Sequence, residues 1–214
     1  MNESKRPPTP GTPLLELRQI SKRFSQPLDL AARFARKLGA EISAETVHAV
    51  DKVSLTIGRG EVVGLVGESG CGKSTLGRLA LGVYPPTEGQ RFWHGNAPNG
   101  QAPSAIDDLP PAAQRAIRLK MQMVFQDPYA SLNPRMRVGT AISEAPLAHG
   151  LISAQEREAW LAQLLQKVGL DPSLGDRYPH QFSGGQRARI GIARALAVQP
   201  EFLVCDEAVA ALDV

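Results

Sequence analysis

The amino-terminal part of the chain carries several strand-type patterns and one short helical pattern. Residues 14–20 and 53–57 alternate apolar and polar side chains, which is typical of half-buried strands. Residues 61–66 form an apolar run that predicts a buried strand, and Gly58-Arg-Gly60 before it predicts a hairpin turn. Residues 76–81 have the pattern of a helix. The order of these patterns predicts a sheet with a helix following a buried strand.

Residues 26–47 have a helical pattern in which basic side chains are interspersed among apolar ones. The apolar side chains on one side are Leu28, Leu30, Phe34 and Leu38, and the basic ones are Arg33, Arg36 and Lys37. One interpretation is an amphipathic helix that lies on a membrane surface. We favour the other, an insertion packed on the edge of the sheet, because an apolar stripe on a helix usually faces protein.

The middle of the chain has a loop, a helix and a strand. Residues 94–104 are rich in Gly, Pro and Asn and predict a surface loop. Pro110-Pro111 opens a helical pattern that runs to about Lys120, and residues 121–125 predict the next strand.

Residues 138–168 have a long helical pattern, which Gly169 and Pro172 end. An apolar stripe at helical spacing runs along its second half. The stripe consists of Trp160, Leu161, Leu164, Leu165 and Val168. A stripe of this kind predicts a helix that packs into a core.

Composition narrows the class of protein. The 214 residues are 43% hydrophobic and 21% charged, which suffices for one core with a subdomain. A net charge of +3 and 5% aromatic residues do not indicate nucleic-acid binding.

Cys71 and Cys205 indicate neither a disulfide framework nor a zinc site, and we expect both to fill tight places. No apolar run approaches the roughly 20 residues of a membrane span, and residues 1–13 predict a disordered tail without a secretion signal.

Residues 67–75 carry the most specific chemical pattern. They fit G-x-x-x-x-G-K-[ST], the phosphate-binding loop or Walker A motif. Glycines let successive backbone N–H groups face phosphates, and the following helix adds partial positive charge. We expect Lys73 to reach the outer phosphates and the Ser74 hydroxyl to be a ligand of Mg²⁺. The predicted nucleotide-binding residues are Gly67, Glu68, Ser69, Gly70, Cys71, Gly72, Lys73, Ser74 and Thr75.

An apolar run that ends in two acids follows at residues 202–207. It predicts a buried strand with two carboxylates at the mouth of a parallel sheet, where ligands bind. Asp206 would hold Mg²⁺, directly or through water, and Glu207 would be catalytic by polarising the attacking water. Two acids alone are equally typical of a solvated turn. Their combination with a phosphate loop favours the catalytic interpretation.

The string Gln-Phe-Ser-Gly-Gly-Gln, residues 181–186, directly precedes another helical pattern. A serine is a good helix N-cap, and paired glycines expose backbone N–H groups, so the string indicates a second anion site or an ordinary capped helix. Together with the Walker A motif and the acid pair, it resembles the signature of the ATP-binding cassette (ABC) ATPases, which usually reads Leu-Ser-Gly-Gly-Gln. Phe182 stands at its first position. The resemblance adds Ser183, Gly184, Gly185 and Gln186 to the nucleotide-binding residues.

The resemblance extends from about Leu14 to Val214. It implies that Gln126 belongs to the glutamine loop, which contacts Mg²⁺ and senses the membrane partner. It implies that Phe24 stands where an aromatic side chain, more often Tyr, stacks on adenine. Asp213 matches the loop that crosses the interface of the ABC dimer and contacts the nucleotide there.

Two further segments, residues 125–135 and 177–183, are similar to the oligopeptide and dipeptide importer subfamily. The fold that the resemblance implies is α/β. It has a P-loop NTPase core, in which a mostly parallel sheet is flanked by helices, and an antiparallel β subdomain. A helical subdomain at residues 135–182 is inserted into this cassette, which comprises residues 14–214.

The resemblance also implies a function, the hydrolysis of ATP with Mg²⁺ to drive import of peptides or similar small solutes. Each ATP would lie between the Walker A motif of one subunit and the signature of a second ABC ATPase subunit, identical or a sister chain. The other partners would be transmembrane permease subunits and, indirectly, an extracytoplasmic substrate-binding protein, with no nucleic acid. The subunit would be peripheral, on the cytoplasmic face of the inner membrane. Dipeptides, oligopeptides, nickel and other small solutes all stay open as cargo.

The sequence departs from the family pattern near its end. A complete cassette continues past the interface loop and carries a switch histidine, and none of His48, His94, His149 and His180 stands at that place. We therefore expect a cassette truncated at its C-terminus. The alternatives are a nucleotide-binding remnant without turnover and a soluble ABC ATPase that acts on ribosomes or DNA.

Overall fold

The computed structural model describes residues 11–25, 46–95, 103–126 and 132–206. Within them the strands are β1 (Pro13–Ser25), β2 (Thr46–Gly58), β3 (Glu88–Trp93), β4 (Met121–Val124) and β5 (Phe202–Cys205). The α-helices are α1 (Lys73–Leu81), α2 (Pro111–Lys120), α3 (Val138–Ala148), α4 (Arg157–Lys167) and α5 (Gly184–Leu196). Short 3-10 helices span Ile106–Asp108, Pro172–Asp176 and Pro179–Gln181. The chain divides into two compact units, Met1–Gln114 and Arg115–Val214.

The first unit is built on an antiparallel sheet with the strand order β2-β1-β3. The pairing of β1 with β2 runs from Pro13 opposite Gly58 to Ser25 opposite Thr46. Leu15, Leu17 and Ile20 of β1 are fully buried. Leu15 and Leu17 alternate as on a sheet with one apolar face, and a shift of register between Leu17 and Ile20 brings Ile20 into the core as well. The strands predicted at residues 14–20 and 53–57 are therefore confirmed.

Helix α1 follows the phosphate loop in the same unit, which confirms the predicted helix there. Gly82, with a φ of 75°, ends α1 in the left-handed conformation. Arg91 of β3 is 4% exposed, and its Nη1 donates to the carbonyl oxygens of Leu79 at 3.2 Å and of Ala80 at 3.4 Å. The same guanidinium forms an ion pair with Asp107. Arg91 thus stabilises the C-terminal end of α1, where a cation complements the helix dipole.

The second unit contains a helical core made by α3, α4 and α5. Its buried members are Leu132, Val138, Ile142, Leu161, Leu164, Leu165, Leu170, Phe182, Ile190, Ala193 and Ala197. Trp160 and Val168 are partly buried against it. The apolar stripe predicted along residues 160–168 is therefore confirmed as core. In the described parts of the chain, no helix has the length and apolar character that crossing a bilayer would require.

Strands β4 and β5 form a parallel pair in the second unit, with Met121 opposite Phe202 and Val124 opposite Cys205. Helix α5 packs on this pair through Ala195, which contacts Val124. The predicted strands at residues 121–125 and 202–205 are confirmed, as is α2 after Pro110-Pro111.

The structure corrects the prediction of a buried strand at residues 61–66. These residues have no regular secondary structure, and Val62 and Val66 are 96% and 98% exposed. The segment before it does form a turn, in which the Glu61 N–H donates to the Gly58 oxygen at 3.3 Å, but it is not a hairpin turn. An apolar run indicates only that a segment has the composition of a buried strand. To form a strand, its backbone must also hydrogen-bond to a neighbouring strand. None of the described strands pairs with residues 61–66.

Two helical predictions also need correction. The pattern at residues 138–168 forms two helices, α3 and α4, because Gly150, with a φ of 65°, and a turn at residues 153–156 interrupt it. Of the predicted helix at residues 26–47, residues 26–45 lie outside the described residues. Thr46 and Val47 belong to β2 instead, where these β-branched residues pair with the end of β1.

Several burial predictions are wrong in detail. Cys71 and Cys205 are both exposed rather than packed into tight places. Leu203 of β5, in the apolar run predicted as a buried strand, is 36% exposed. Of the predicted tail, residues 1–10 lie outside the described residues, and Pro13 already begins β1.

Candidate functional site

The phosphate loop at residues 67–75 leads from irregular backbone into the N-terminus of α1. Gly70 and Gly72 have φ angles of 82° and 97°, in the left-handed region that glycine adopts without strain. Gly72 is the N-cap of α1, and because glycine has no side chain, this residue provides no side-chain cap for the N–H groups of the first turn. The end of α1 therefore presents backbone donors and the partial positive charge of the helix dipole.

Gly72 also lies against β2. A Cβ atom at this position would collide with the carbonyl oxygen of Ala49 and approach the Val50 side chain to 3.7 Å. The strand and the loop can approach this closely only because the residue has no side chain. Glycine is thus required at position 72 both by its φ angle and by the space available.

Lys73, the first residue of α1, folds back over the loop. Its Nζ donates to the backbone oxygens of Gly67 and Glu68, each at 2.7 Å, and lies 3.8 Å from the Cys71 sulfur. An ammonium held among loop carbonyls is available to phosphate oxygens, which are stronger acceptors because they are charged. The ammonium, the glycine backbone and the helix end together fit a polyphosphate ligand.

The remaining loop residues differ in how far they are exposed to solvent. Residues 67–71, which include Glu68, Ser69 and Cys71, are exposed, and Ser74 and Thr75 in the first turn of α1 are half-buried. A Cβ atom at Gly67 would approach the Cys71 sulfur to 2.8 Å. The first half of the loop is thus open to a ligand, and the hydroxyl groups of Ser74 and Thr75 lie where the helix begins.

Phe24 lies near the end of β1, opposite Val47 of β2, and is 39% exposed. Its ring makes an edge-to-face contact with Tyr84, with 5.5 Å between the ring centroids. No sequence pattern indicated Tyr84, because it follows α1 in a turn that has no periodicity. The signal that could have found it is an aromatic residue placed directly after the helix of a phosphate loop.

The predicted signature forms the N-terminus of α5 in the second unit. Ser183 is the N-cap, and its Oγ accepts from the Gln186 N–H at 3.2 Å. The Gln186 Oε1 accepts from the Ser183 N–H at 3.0 Å, which completes a capping box. A Cβ atom at Gly184 would have nothing within 4 Å. Gly184 therefore opens the first turn with exposed backbone, and Gly185 after it is half-buried.

Phe182 explains the unusual first position of the signature. Its side chain is 5% exposed and belongs to the helical core of the second unit. Either Leu or Phe can supply the apolar group that this position buries, so the substitution for Leu leaves the polar residues after it in register.

Gln126 and Asp206 follow the carboxyl ends of the two parallel strands of the second unit. Strands β4 and β5 end at Val124 and Cys205, which are paired, and the Asp206 N–H donates to the Val124 oxygen at 3.0 Å. Asp206 is 9% exposed, whereas Gln126 is exposed. An amide oxygen and a carboxylate are ligands that fit Mg²⁺. Glu207 and Asp213 lie outside the described residues, and Ser74 belongs to the first unit.

Comparison with known proteins gives a consistent set of relatives. The model of the family described as ABC transporter matches residues 50–210. The oligopeptide transport ATP-binding protein AppF of Bacillus subtilis is 46% identical over 94% of this chain and 56% of its own length. A Brucella abortus protein, provisionally named as a peptide import ATP-binding protein, is 55% identical over 78% of this chain and 48% of its own length. The chain thus spans about half the length of these curated relatives.

Solved structures agree with the sequence relatives. The dimeric ATP-binding cassette MJ0796, in a post-hydrolysis state bound to ADP and Pi, has a TM-score of 0.72 and is 28% identical. The match covers 94% of this chain and 76% of that one. The α/β cassette fold, with an antiparallel sheet and a parallel sheet flanked by helices, is confirmed by this likeness.

Proposed function

Because the chain belongs to the ABC transporter family, we propose that it forms the ATP-binding and ATP-hydrolysing part of a solute importer. The observation that carries the proposal is the phosphate loop. Its glycine backbone leads to a helix end without a side-chain cap, and the Lys73 ammonium lies on the loop. A triphosphate is the ligand whose charge and length match both features.

The first unit supplies the nucleotide-binding residues. Lys73 exchanges the carbonyl oxygens of Gly67 and Glu68 for the outer phosphate oxygens, and N–H groups of residues 70–75 donate to the phosphates. Phe24 stacks on the adenine. The Ser74 hydroxyl would be a ligand of Mg²⁺, and a bound Mg²⁺ would supply positive charge next to the phosphates.

The second unit supplies the residues of the hydrolytic step. Asp206 and Gln126, which follow the two parallel strands, would hold Mg²⁺ directly or through water. Glu207 accepts a proton from the water that attacks the γ-phosphorus, and the bond from that phosphorus to the oxygen bridging to the β-phosphate breaks. ADP and inorganic phosphate are the products.

The signature residues act on ATP held by a second subunit. Ser183, Gly184, Gly185 and Gln186 approach the phosphates from the opposite side in a head-to-tail dimer, in which Asp213 crosses the interface. Two observations support this assignment. The N-terminus of α5 presents exposed glycine backbone, and the similar cassette MJ0796 has been solved as a dimer. Because each ATP needs both subunits, its hydrolysis lets them separate.

The importer role rests on the relatives. AppF is named for oligopeptide transport, and GsiA of Shigella dysenteriae, 46% identical over 95% of this chain and 30% of its own length, is named for glutathione import. Peptides and similar small solutes are accordingly the proposed cargo. The partners are a second ATPase subunit, permease subunits and, through them, a substrate-binding protein, with the chain peripheral on the cytoplasmic face of the membrane.

The domain boundaries proposed are one cassette at residues 14–214 and a helical subdomain at residues 135–182. The described helices α3 and α4 lie inside the latter range, together with Phe182 at its end. These helices share a core of their own with α5, which supports an inserted helical layer.

The test of this proposal is a Glu207→Gln variant of the chain assembled with its permease partners. We expect steady-state ATP hydrolysis to fall by at least about 100-fold, in the range typical for loss of a general base. The affinity for ATP should stay unchanged or rise, since the amide keeps the shape and removes negative charge near the phosphates. Hydrolysis is followed by phosphate release, and binding by calorimetry.

The matched control is Glu158→Gln on α4, which makes the same chemical change at an exposed position. It should leave both hydrolysis and binding unchanged. Unaltered hydrolysis in Glu207→Gln would remove the catalytic role from Glu207. Failure of the parent chain to bind ATP at all would remove the proposed function as a whole.

A further inference from the structure

An aromatic cluster in the first unit contains two rings and two cations, which are Lys22, Phe24, Arg78 and Tyr84. The rings of Phe24 and Tyr84 meet edge to face, at an angle of 81° between their planes. The Lys22 ammonium lies 5.2 Å from the Phe24 centroid and 6.0 Å from the Tyr84 centroid. The Arg78 guanidinium lies 6.0 Å from the Tyr84 centroid. Both cations are thus within the distance at which a ring attracts a cation.

Tyr84 is attached to the helix that leaves the phosphate loop. Its N–H donates to the Arg78 oxygen at 3.4 Å, within the turn that ends α1. The Lys22 ammonium donates to the carbonyl oxygen of Pro85 at 2.8 Å, so β1 is fixed to the same turn. The backbone that carries the Tyr84 ring is therefore held by both α1 and β1.

Phe24 has less support from its own strand. The pairing of β1 with β3 ends at Ser21 opposite Glu88, and at Phe24 the strand pairs with β2 alone. Phe24 is 39% exposed and Val47 opposite it is 56% exposed. Since an exposed aromatic side chain exchanges rotamers freely unless a neighbour restrains it, the contact with Tyr84 restricts the ring of Phe24.

The register of β2 connects this cluster with the phosphate loop. Val47 pairs with Phe24, and Ala49, two residues further along β2, is the residue whose carbonyl oxygen approaches Gly72. Two residues of strand span about 7 Å. Phe24 and the loop thus lie within the reach of a single nucleotide, whose base and phosphates lie at opposite ends.

We propose that Tyr84 is a positioning residue for the nucleotide base. It holds the Phe24 ring at a fixed distance from the phosphate loop, because its own backbone belongs to the turn that ends α1. This inference rests on the proposed ATP site. It goes beyond that site in assigning the base-dependent part of the affinity to the pair of rings rather than to Phe24 alone.

The experiment compares two ligands, ATP and inorganic tripolyphosphate, each with Mg²⁺, by calorimetry on the full chain. The ratio of their dissociation constants measures what the nucleoside contributes. In Tyr84→Leu we expect ATP to bind about three- to tenfold more weakly, the range of a lost aromatic pair. Tripolyphosphate binding should change less than about twofold, since the phosphate loop is intact.

Two further variants separate positioning from stability. Tyr84→Phe keeps the ring and should restore the ratio of the parent chain, whereas Val83→Ala changes the exposed neighbouring residue and should not alter it. Thermal unfolding of each variant with and without ligand shows whether the chain is folded. A role in stability alone would lower the affinities for both ligands together, and that result would overturn the proposal.

The outcomes also distinguish this inference from the proposed function. If the parent chain binds ATP more tightly than tripolyphosphate and Tyr84→Leu keeps that difference, Tyr84 has no positioning role although the ATP site stands. If the parent chain binds neither ligand, the proposed function fails, and the positioning role fails with it.

Discussion

The N-termini of α1 and α5 are both rich in glycine, yet they satisfy their backbone donors differently. At α5, Ser183 and Gln186 form a reciprocal capping box, so side-chain oxygens of the protein accept from two backbone N–H groups at this end. At α1, Gly72 is the N-cap and offers no side chain. A helix end without a side-chain cap leaves first-turn N–H groups to a ligand or to water.

In the proposed dimer, the helix ends α1 and α5 of different subunits would contribute to an ATP site in different ways. The end of α1 is shaped for the ligand by backbone alone, and its geometry depends on glycine conformations that other residues resist. The end of α5 is stable without a ligand, since its cap is internal. We therefore expect substitutions at the N-terminus of α1 to affect both the stability of the fold and ATP binding. Substitutions in the capping box of α5 should lower stability by the amount typical of a lost helix N-cap.

The largest effect should come from Gly72→Ala. The new methyl would collide with the Ala49 carbonyl oxygen, and the φ of 97° is unfavourable for alanine. We expect the free energy of unfolding to fall by about 2–4 kcal/mol and ATP binding to be lost, because β2 or the loop must move. Urea unfolding and calorimetry measure the two effects.

Two matched glycine variants sharpen this prediction. Gly70→Ala also has a positive φ, of 82°, but open space around it, so only the conformational cost of about 1–2 kcal/mol applies. Gly184→Ala at the first position of α5 has open space and no positive φ, and should be neutral or stabilising by about 0.5 kcal/mol. Equal losses at positions 72 and 70 would show that contact with Ala49 does not matter.

A smaller effect is expected at the capped helix. Ser183→Ala removes the oxygen that accepts from the Gln186 N–H, which should lower the free energy of unfolding by about 1 kcal/mol. Ser183→Asp keeps an acceptor at the N-cap and should retain most of the stability. Urea unfolding of both variants gives the comparison. A loss in Ser183→Asp as large as that in Ser183→Ala would argue against capping.

The features that the sequence predicted well are those that nearby residues determine. The start of α5 at Ser183 follows from an N-cap next to a helical period, and the strand at residues 14–20 follows from alternation. The apolar stripe with Leu161 and Leu165 indicated core for the same reason. Each of these signals lies within one turn or one strand.

The structural features that the sequence patterns did not predict depend on contacts between residues far apart in the chain. Residues 61–66 have the composition of a strand, but pairing decides whether they form one. The contact of Phe24 with Tyr84 joins residues 60 positions apart, which no local pattern reveals. The Gly72 contact with Ala49 is of the same kind, since the motif predicts the glycine but not the strand against which it packs.

The smallest expected effect concerns another turn in which a serine and the residue three positions later hydrogen-bond each other. Unlike the capping box of α5, this turn contains a charged residue. Before α4, the carboxylate of Glu156 accepts from the Ser153 N–H at 2.9 Å and from the Ser153 hydroxyl at 2.6 Å. These hydrogen bonds hold the pKa of Glu156 below its ordinary value of 4.5. A lowered pKa in the folded state means that the stabilisation is complete above pH 4.5 and is lost as the pH falls through the folded-state pKa.

The corresponding turn at α5 uses the neutral Gln186, so it should not respond to pH in this range. We expect the melting temperature of the parent chain to exceed that of Glu156→Gln slightly at pH 7, and the difference to shrink as the pH falls below 4.5. Glu144→Gln, at an exposed position on α3, is the control for a general loss of charge. A difference between parent and Glu156→Gln that stays constant from pH 7 to pH 3 would show that ionisation of Glu156 does not stabilise this turn. The two turns would then be equivalent, and the contrast between a charged and a neutral partner would not apply.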